Sequence, residues 1–304
     1  MERRNFKVSG YMKKIIAPPG TKISLDDYDT GWAQNAYLKD AGEKKAEKLL
    51  IAKLAGDRAA LAGAQEILWS AKSHGVLIIL QGMDTAGKDG TIRHVMSGVN
   101  PQGCRIDGFG VPTTEEHSHD FLWRYTKALP ERGEIGIFNR SYYEDVLVVR
   151  VHPDRLENLP PECGAETDDF WEGRFKSIRN FEKHLVKNGT IVLKFFLHIS
   201  REEQKRRLLD RLRNKDKYWK FSLADIEERG YWDEYMKAYE EMLAATSTDY
   251  APWFIVPADY KWVARTAVGE VVTTAINSLG LSYPKVTGDA VKRLMAARKK
   301  LEQE

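Results

Sequence analysis

Cysteine is scarce: two residues in 304, Cys104 and Cys163, are too few for a disulfide framework or a four-cysteine metal site. No apolar run approaches the roughly 18 residues of a membrane span, and the densest stretches, Val76–Leu80 and Ile191–Ile199, are short. The opening residues, Met1 to Lys7, lack the apolar centre of a signal peptide, so the expectation is a soluble cytoplasmic chain in a reducing compartment. The seven histidines show no metal-ligand spacing, His117 and His119 being two apart. There is no zinc pattern, no helix-turn-helix signature and no basic stretch interleaved with aromatics, which argues against nucleic acid as partner. What is present is a core: 42% apolar and 11% aromatic residues, enough for one large domain or two small ones.

Charge is almost balanced, at a formal +3, but it is not evenly spread. The window Arg201–Lys220 holds nine basic residues against four acidic ones, a local +5 that exceeds the whole chain. Such a concentrated field marks either a solvated helix face or a lid that grips a polyanion. Arg207 and Arg211, four apart on one helix face, and Lys217 and Lys220 flanking Tyr218 and Trp219 are its candidates for phosphate contact.

Residues 1–32 read as an extended arm with a turn at Pro18-Pro19-Gly20, and Tyr37–Ser73 as a long helix or helix pair. Thereafter short apolar runs alternate with helical patterns. Val76–Leu80, Arg105–Phe109, Glu134–Phe138, Thr190–Ile199 and Trp253–Val256 read as strands. Thr114–Leu129, Asp168–Lys187, Arg201–Arg213, Trp232–Ala245 and Lys261–Leu279 read as helices, and Asp289–Glu304 as a charged peripheral one. The Trp171, Phe175, Ile178 and Leu185 stripe is a packing face, with Gly189 placed to end that helix. Strands apolar throughout and alternating with helices predict an α/β fold: a three-layer parallel sheet of about five strands, covered on both faces.

Directly after the first strand stands Gly82-Met83-Asp84-Thr85-Ala86-Gly87-Lys88-Asp89-Gly90, the G-x-x-x-x-G-K phosphate loop with Asp89 where Ser or Thr is usual. Thr85, Ala86, Gly87, Lys88, Asp89 and Gly90 are therefore the candidate phosphate cradle, built of backbone N–H groups at a helix start. A carboxylate inside such a cradle repels its ligand unless a cation lies between them, so Asp84 is a candidate Mg²⁺ ligand. Asp89 fits equally well as a favourable charge at a helix N-terminus. The third strand ends Asn139-Arg140-Ser141-Tyr142-Tyr143-Glu144-Asp145. Asn139 occupies the usual place of a second metal carboxylate, leaving Glu144 or Asp145 to supply that charge, and Arg140 is placed to neutralise a transferring phosphoryl group. Gly110, Val111, Pro112 and Thr113 after the second strand, with Asn139, Arg140, Tyr143 and Glu144, are candidates for nucleotide contact; Thr113 and Glu116 also have capping-box spacing.

These blocks, together with Ser200–Gln204, Tyr218–Phe221 and Thr246–Trp253, resemble the second, P-loop type of polyphosphate kinase over about Ile23 to Pro284. The resemblance implies a P-loop kinase fold with a helical basic lid, and transfer of phosphate between inorganic polyphosphate and AMP or ADP. Mg²⁺ would be the cofactor, with Mn²⁺ as a substitute, and the enzyme a homo-oligomer. Lys88, Asp84 and Arg140 match the family's loop lysine, loop aspartate and strand-end arginine; Arg207 and Arg211 match its lid arginines. Many members carry Asp at Asn139, and the Asn version resembles the subgroup often called class III, which phosphorylates both AMP and ADP. Catalytic roles thus fall to Asp84, Lys88, Arg140 and Glu144. The implied organisation is an arm and helical extension over 1–74, a core over 75–284 with its lid at about 201–231, and a tail helix over 285–304. An ATP-dependent small-molecule or nucleotide kinase shares the fold, and a nucleic-acid-binding ATPase is a more distant alternative.

Overall fold

The computed structural model describes residues 10–32, 38, 41–156, 159 and 167–304. Five strands, β1 (Gly75–Gln81), β2 (Cys104–Gly108), β3 (Ile135–Asn139), β4 (Thr190–His198) and β5 (Trp253–Pro257), form one parallel sheet in the order β2-β3-β1-β4-β5. Val76 pairs with Ile135 on one side and Ile191 on the other, which fixes β1 as the central strand. β1 is buried along its whole length, because helices cover both faces and a parallel strand has no wet side.

Among the described residues, nine longer helices accompany the sheet: α1 (Glu43–Ala71), α2 (Lys88–Val95), α3 (Glu144–Val151), α4 (Asp168–Lys187), α5 (Arg201–Arg213), α6 (Ala224–Gly230), α7 (Trp232–Thr246), α8 (Lys261–Asn277) and α9 (Asp289–Leu301). In the part of Tyr37–Ser73 that is described, α1 runs without a break from Glu43 to Ala71, the long helix of the two expected alternatives. It packs along α8, with Leu54, Leu61 and Leu68 buried. Thr266 of α8 donates its hydroxyl to the Leu50 carbonyl, 2.9 Å away. The expected Thr114–Leu129 helix is broken into Thr114–His117 and Trp123–Lys127. The Asp120 carboxylate accepts from the Leu122 N–H at 2.9 Å, which starts a new turn there instead of continuing the old one.

α4 buries Trp171, Phe175, Ile178 and Leu185 as the stripe predicts, and Gly189 follows it at φ 93°, in the left-handed region. The arm is partly a strand substitute. Ile16 bridges antiparallel to Phe254, and the Ile255 N–H donates to the Ile15 carbonyl at 2.7 Å, so the arm covers the open edge of β5. α9 exposes every residue but Val291, which is half-buried. Cys104 lies on β2, where burial and Glu134 push its thiol up to about 11; Cys163 lies outside the described residues. Among the described residues no helix is long and apolar enough to cross a membrane.

Candidate active site

In a doubly wound parallel sheet, ligands sit beyond the carboxyl ends of the strands where the order reverses. Here that point lies at the ends of β1 and β3, and both ends carry backbone that only a defined turn tolerates. Gly82 leaves β1 at φ 153°, and a Cβ there would stand 2.9 Å from the Leu197 carbonyl oxygen. Gly87 caps α2 at φ 108°. At these strand ends two non-glycine residues are also left-handed, Thr85 and Arg140, both at φ 65°. Such residues cost roughly 1–2 kcal/mol each, so the surroundings must hold them.

Lys88, the first residue of α2, curls back over the loop. Its Nζ donates to the Gly82 carbonyl at 2.5 Å and the Met83 carbonyl at 3.3 Å. Burial lowers its pKa and Arg140 lowers it further, against the upward pull of Asp84, Glu144 and Asp89. Arg140 reaches across from β3: Nη2 donates to Asp84 Oδ1 at 2.9 Å, and Nη1 lies 3.9 Å from Glu144 Oε2. Glu144 also accepts from the Gln81 amide at 2.8 Å. Asp84, Lys88, Arg140 and Glu144 are thereby brought together, two cations and two carboxylates at the mouth of the loop. Two hard carboxylates beside a phosphate cradle fit a divalent cation of the Mg²⁺ type, which takes one or two such ligands and completes its shell with phosphate and water. Among the described residues no group of three acidic, histidine or cysteine side chains forms a protein-only cage.

Beside these residues opens a cleft of about 730 Å³, lined by Gly110, Val111 and Pro112 of the expected nucleotide set and by Phe109, Phe121 and Arg124. Arg124 stacks over Phe109 and Tyr125 and donates to the Gly110 carbonyl at 3.0 Å. Thr113 and Glu116 form both bonds of the capping box, so Thr113 holds the loop and does not line the cleft. Asn139 is likewise turned away, donating to Asp89 Oδ1 at 2.6 Å and tying the end of β3 to the first turn of α2.

Three expectations change in place. Tyr143 has no exposed surface; its hydroxyl donates to Glu182 at 2.6 Å, so it cannot touch a nucleotide in the cleft. Asp145 lines the cleft but faces Arg174, 3.7 Å away, and accepts from the Tyr125 hydroxyl at 3.3 Å. Burial pushes its carboxyl up to about 6, against the pull of Arg174 and Arg124, and Glu144 is the carboxylate nearer Arg140 and Asp84. Arg207 is the largest departure. It is 6% exposed, and all five of its N–H donors are spent: on Glu203, on the Thr85 and Ala86 carbonyls, and on the Ala258 and Asp259 carbonyls. It buttresses the phosphate loop from behind, with no donor left for a phosphate. Arg211 is partly exposed and binds the Lys220 carbonyl and Asp225, within the 201–231 segment itself.

Among the described residues, free positive charge also lies outside this segment. Lys261 and Arg265 at the start of α8 and Arg93 on α2, which the sequence pattern does not signal, group with exposed Lys217, one of the expected phosphate contacts. Burial lowers the pKa of Lys261, and Arg207, Arg265, Lys217 and Arg206 lower it further; Arg265 is depressed by burial, Arg93 and Arg207. Arg265 stands close behind Gly90, its Nη2 3.6 Å from where a Cβ would be. None of these cations lines the cleft. Lys220 is exposed over Trp219 on the Lys215–Lys220 turn. Gln204 links that segment to the loop: its amide donates to the Asp84 carbonyl at 3.2 Å and accepts from Arg229 at 2.6 Å.

Comparison with known proteins shows what the chain is similar to. The family model described as polyphosphate kinase 2 matches residues 44–281. An ADP-polyphosphate phosphotransferase of Rhodopseudomonas palustris is 52% identical over 242 residues, 79% of this chain and 84% of its own length. An AMP/ADP-polyphosphate phosphotransferase of Meiothermus ruber is 42% identical over 274 residues, 90% and 96% of the two chains. The crystal structure of polyphosphate kinase 2 from Arthrobacter aurescens superposes with a TM-score of 0.79 at 41% identity, covering 92% of this chain and 94% of that one.

Proposed function

The chain belongs to the polyphosphate kinase 2 family, and from that premise we propose that it moves a phosphoryl group reversibly between inorganic polyphosphate and AMP or ADP. The observation that carries the proposal is the two-sidedness of the site. The cations Lys261, Arg265, Arg93 and Lys217 group together, with Arg265 beside Gly90 of the loop, and none of them lines the cleft with its apolar walls. A polyanion with about one charge per phosphate needs a basic track, and a nucleotide needs a cleft with apolar walls. The two meet at Lys88, Asp84, Arg140 and Glu144.

The terminal oxygen of AMP or ADP is largely ionised at neutral pH, so it attacks the terminal phosphorus of polyphosphate without a protein base. The P–O bond to the next phosphate breaks, and the shortened chain leaves with the electron pair. The protein's task is positioning and charge neutralisation. Lys88 and Arg140 meet the charge on the transferred group; Asp84 and Glu144 would hold Mg²⁺, or Mn²⁺ in its place, and the bound ion would screen the phosphates. Loop N–H groups from Thr85 to Gly90 cradle the donor end, while Gly110, Val111, Pro112, Phe109 and Arg124 accommodate the acceptor. Acceptance of both AMP and ADP is supported by Asn139 at the end of β3 and by the relative named for both substrates. The catalytic unit is residues 75–284, with a lid at about 201–231, extension 1–74 and tail 285–304. The enzyme is read as cytoplasmic and homo-oligomeric, and the exposed Leu294, Met295 and Leu301 of α9 suit a contact between copies.

The test supplies polyphosphate and Mg²⁺ with AMP alone or ADP alone, without ATP, and resolves the nucleotides by chromatography. ADP then ATP should appear from AMP, and ATP from ADP; a chelator should stop both. No phosphorylated product from either acceptor refutes the reading.

A further inference from the structure

Behind the turn that carries Arg140 and Glu144 lies a charged pair with no exposure. Lys194 sits in the middle of β4, Glu182 faces it from α4, and Nζ stands 2.7 Å from Oε2. The ammonium has three N–H groups and three acceptors: Glu182 Oε2, the Tyr143 hydroxyl at 3.0 Å and the Thr246 carbonyl at 2.8 Å. Glu182 Oε1 accepts from the hydroxyls of both Tyr142, at 2.9 Å, and Tyr143, at 2.6 Å. Trp253 meets Tyr143 edge to face, with ring centres 4.7 Å apart, and donates its ring N–H to the Thr246 hydroxyl at 2.9 Å. Every donor of the ammonium and both oxygens of the carboxylate are engaged. Burial raises the pKa of both tyrosines, so their hydroxyls stay protonated and donate.

A sealed ion pair is a poor source of stability, because desolvation offsets most of the attraction and apolar residues of the same volume serve as well. What this pair has that leucine and methionine lack is direction. It draws two adjacent hydroxyls to one oxygen, and so fixes two consecutive residues of the turn. Arg140, two residues before Tyr142, is left-handed at φ 65°; Glu144 immediately follows Tyr143. The turn's own bonds are the Arg140 N–H to the Leu80 carbonyl, the Glu144 N–H to the Ser141 carbonyl, the Val146 N–H to the Tyr143 carbonyl and the Tyr143 N–H to the Ser141 hydroxyl, and none of them engages the Arg140 or Glu144 side chain. The far end of the network, Thr246, closes α7, the helix that leaves the 201–231 segment.

We propose that the buried Glu182–Lys194 pair is a positioning device that holds Arg140 and Glu144 in register with the phosphate loop through the hydroxyls of Tyr142 and Tyr143. The inference rests on the phosphotransfer reading above. None of the four residues touches substrate; they act through the turn, and a displacement of an ångström at a transferring group costs about a hundredfold in rate.

Two variants of the full chain test it. The first replaces the whole network with apolar residues of like volume, as Glu182→Leu, Lys194→Met, Tyr142→Phe and Tyr143→Phe together, leaving no buried hydroxyl unpaired. The second removes only the hydroxyls, as Tyr142→Phe with Tyr143→Phe. Thermal unfolding is read beside kcat and both KM values at saturating Mg²⁺. The expected result for the fourfold variant is a cooperative fold with a midpoint within a few degrees of the wild type; the double phenylalanine variant, which leaves Glu182 Oε1 without a donor, unfolds at a lower temperature, and in both the kcat of the folded enzyme falls about tenfold or more. The KM for polyphosphate should hold within about twofold, since its cations lie elsewhere. A merely structural network would lower midpoint and active fraction together and leave the kcat of the folded enzyme alone. Should the fourfold variant fail to fold, the double phenylalanine variant decides by the same split. A folded variant with wild-type kcat overturns the positioning role while wild-type activity stands. An inactive wild type overturns the activity reading itself, and the inference with it.

Discussion

Replacing Arg207 with Gln removes a guanidinium whose five donors reach four backbone carbonyls and one carboxylate. Two carbonyls belong to the phosphate loop, Thr85 and Ala86, and two to the segment after β5, Ala258 and Asp259. The side chain is 6% exposed, so water cannot take over these bonds. Glu203 would lose one of its two arginine partners, the buried one. Removing one member of such a buried set costs about 3–5 kcal/mol, which lowers the unfolding midpoint by on the order of 10 °C. Arg211, one turn along the same helix, binds the Lys220 carbonyl and Asp225 from a partly exposed position, and Arg211→Gln should cost less than about 1 kcal/mol. Differential scanning calorimetry on both variants, with initial rates at two ionic strengths, separates the roles. A buttress lowers stability and kcat, with little change in the salt dependence of the polyphosphate KM. If Arg207→Gln unfolds with the wild type and instead raises that KM in a salt-sensitive way, the guanidinium serves as a lid cation and the buttress reading is wrong.

Lys88→Ala should fold normally, because Nζ bonds only to the Gly82 and Met83 carbonyls, yet lose about 10²–10³ in kcat; near-normal turnover in a folded variant would remove Lys88 from the mechanism. Asp145 gives a pH signature. Burial raises its carboxyl from 3.8 to about 6, so between about pH 4 and 6 the folded protein keeps a proton that the unfolded chain has lost, and its contribution to stability falls as pH rises through that window. Asp145→Asn should therefore gain up to about 3 kcal/mol relative to the wild type at pH 7 and nothing at pH 3, read by urea unfolding at each pH; a constant difference across pH contradicts that shift.

The strands and the phosphate loop were legible because their signals are contiguous. Val76–Leu80 is apolar throughout, and the glycine-lysine pattern follows it without a break. The capping box at Thr113 and Glu116 was visible for the same reason. Failures came where tertiary packing decides. Arg207 and Arg211 share a helix face and a residue type; only the approach of the phosphate loop and the β5 end to α5 makes the first a core residue. Tyr143 stands among chemistry-bearing residues, and nothing local says that Glu182, 39 positions away, takes its hydroxyl. Glu144–Val151 is β-branched enough to hide its helix. Lys261 and Arg265 are two isolated cations at the start of a mostly buried helix. They become a basic track only beside Arg93 and Lys217, far away in sequence.

The central claim is that donor and acceptor reach Lys88 and Arg140 from different sides, and one kinetic comparison tests it. Initial rates would be measured against polyphosphate and against ADP for the wild type, for Lys261→Gln with Arg265→Gln, and for Arg124→Gln. The account predicts that the α8 double variant raises the polyphosphate KM severalfold, loses salt sensitivity and leaves the ADP KM unchanged. Arg124→Gln, which releases the Gly110 loop at the cleft, should do the reverse. Both variants shifting the same KM, or neither shifting its own, would contradict a two-sided site.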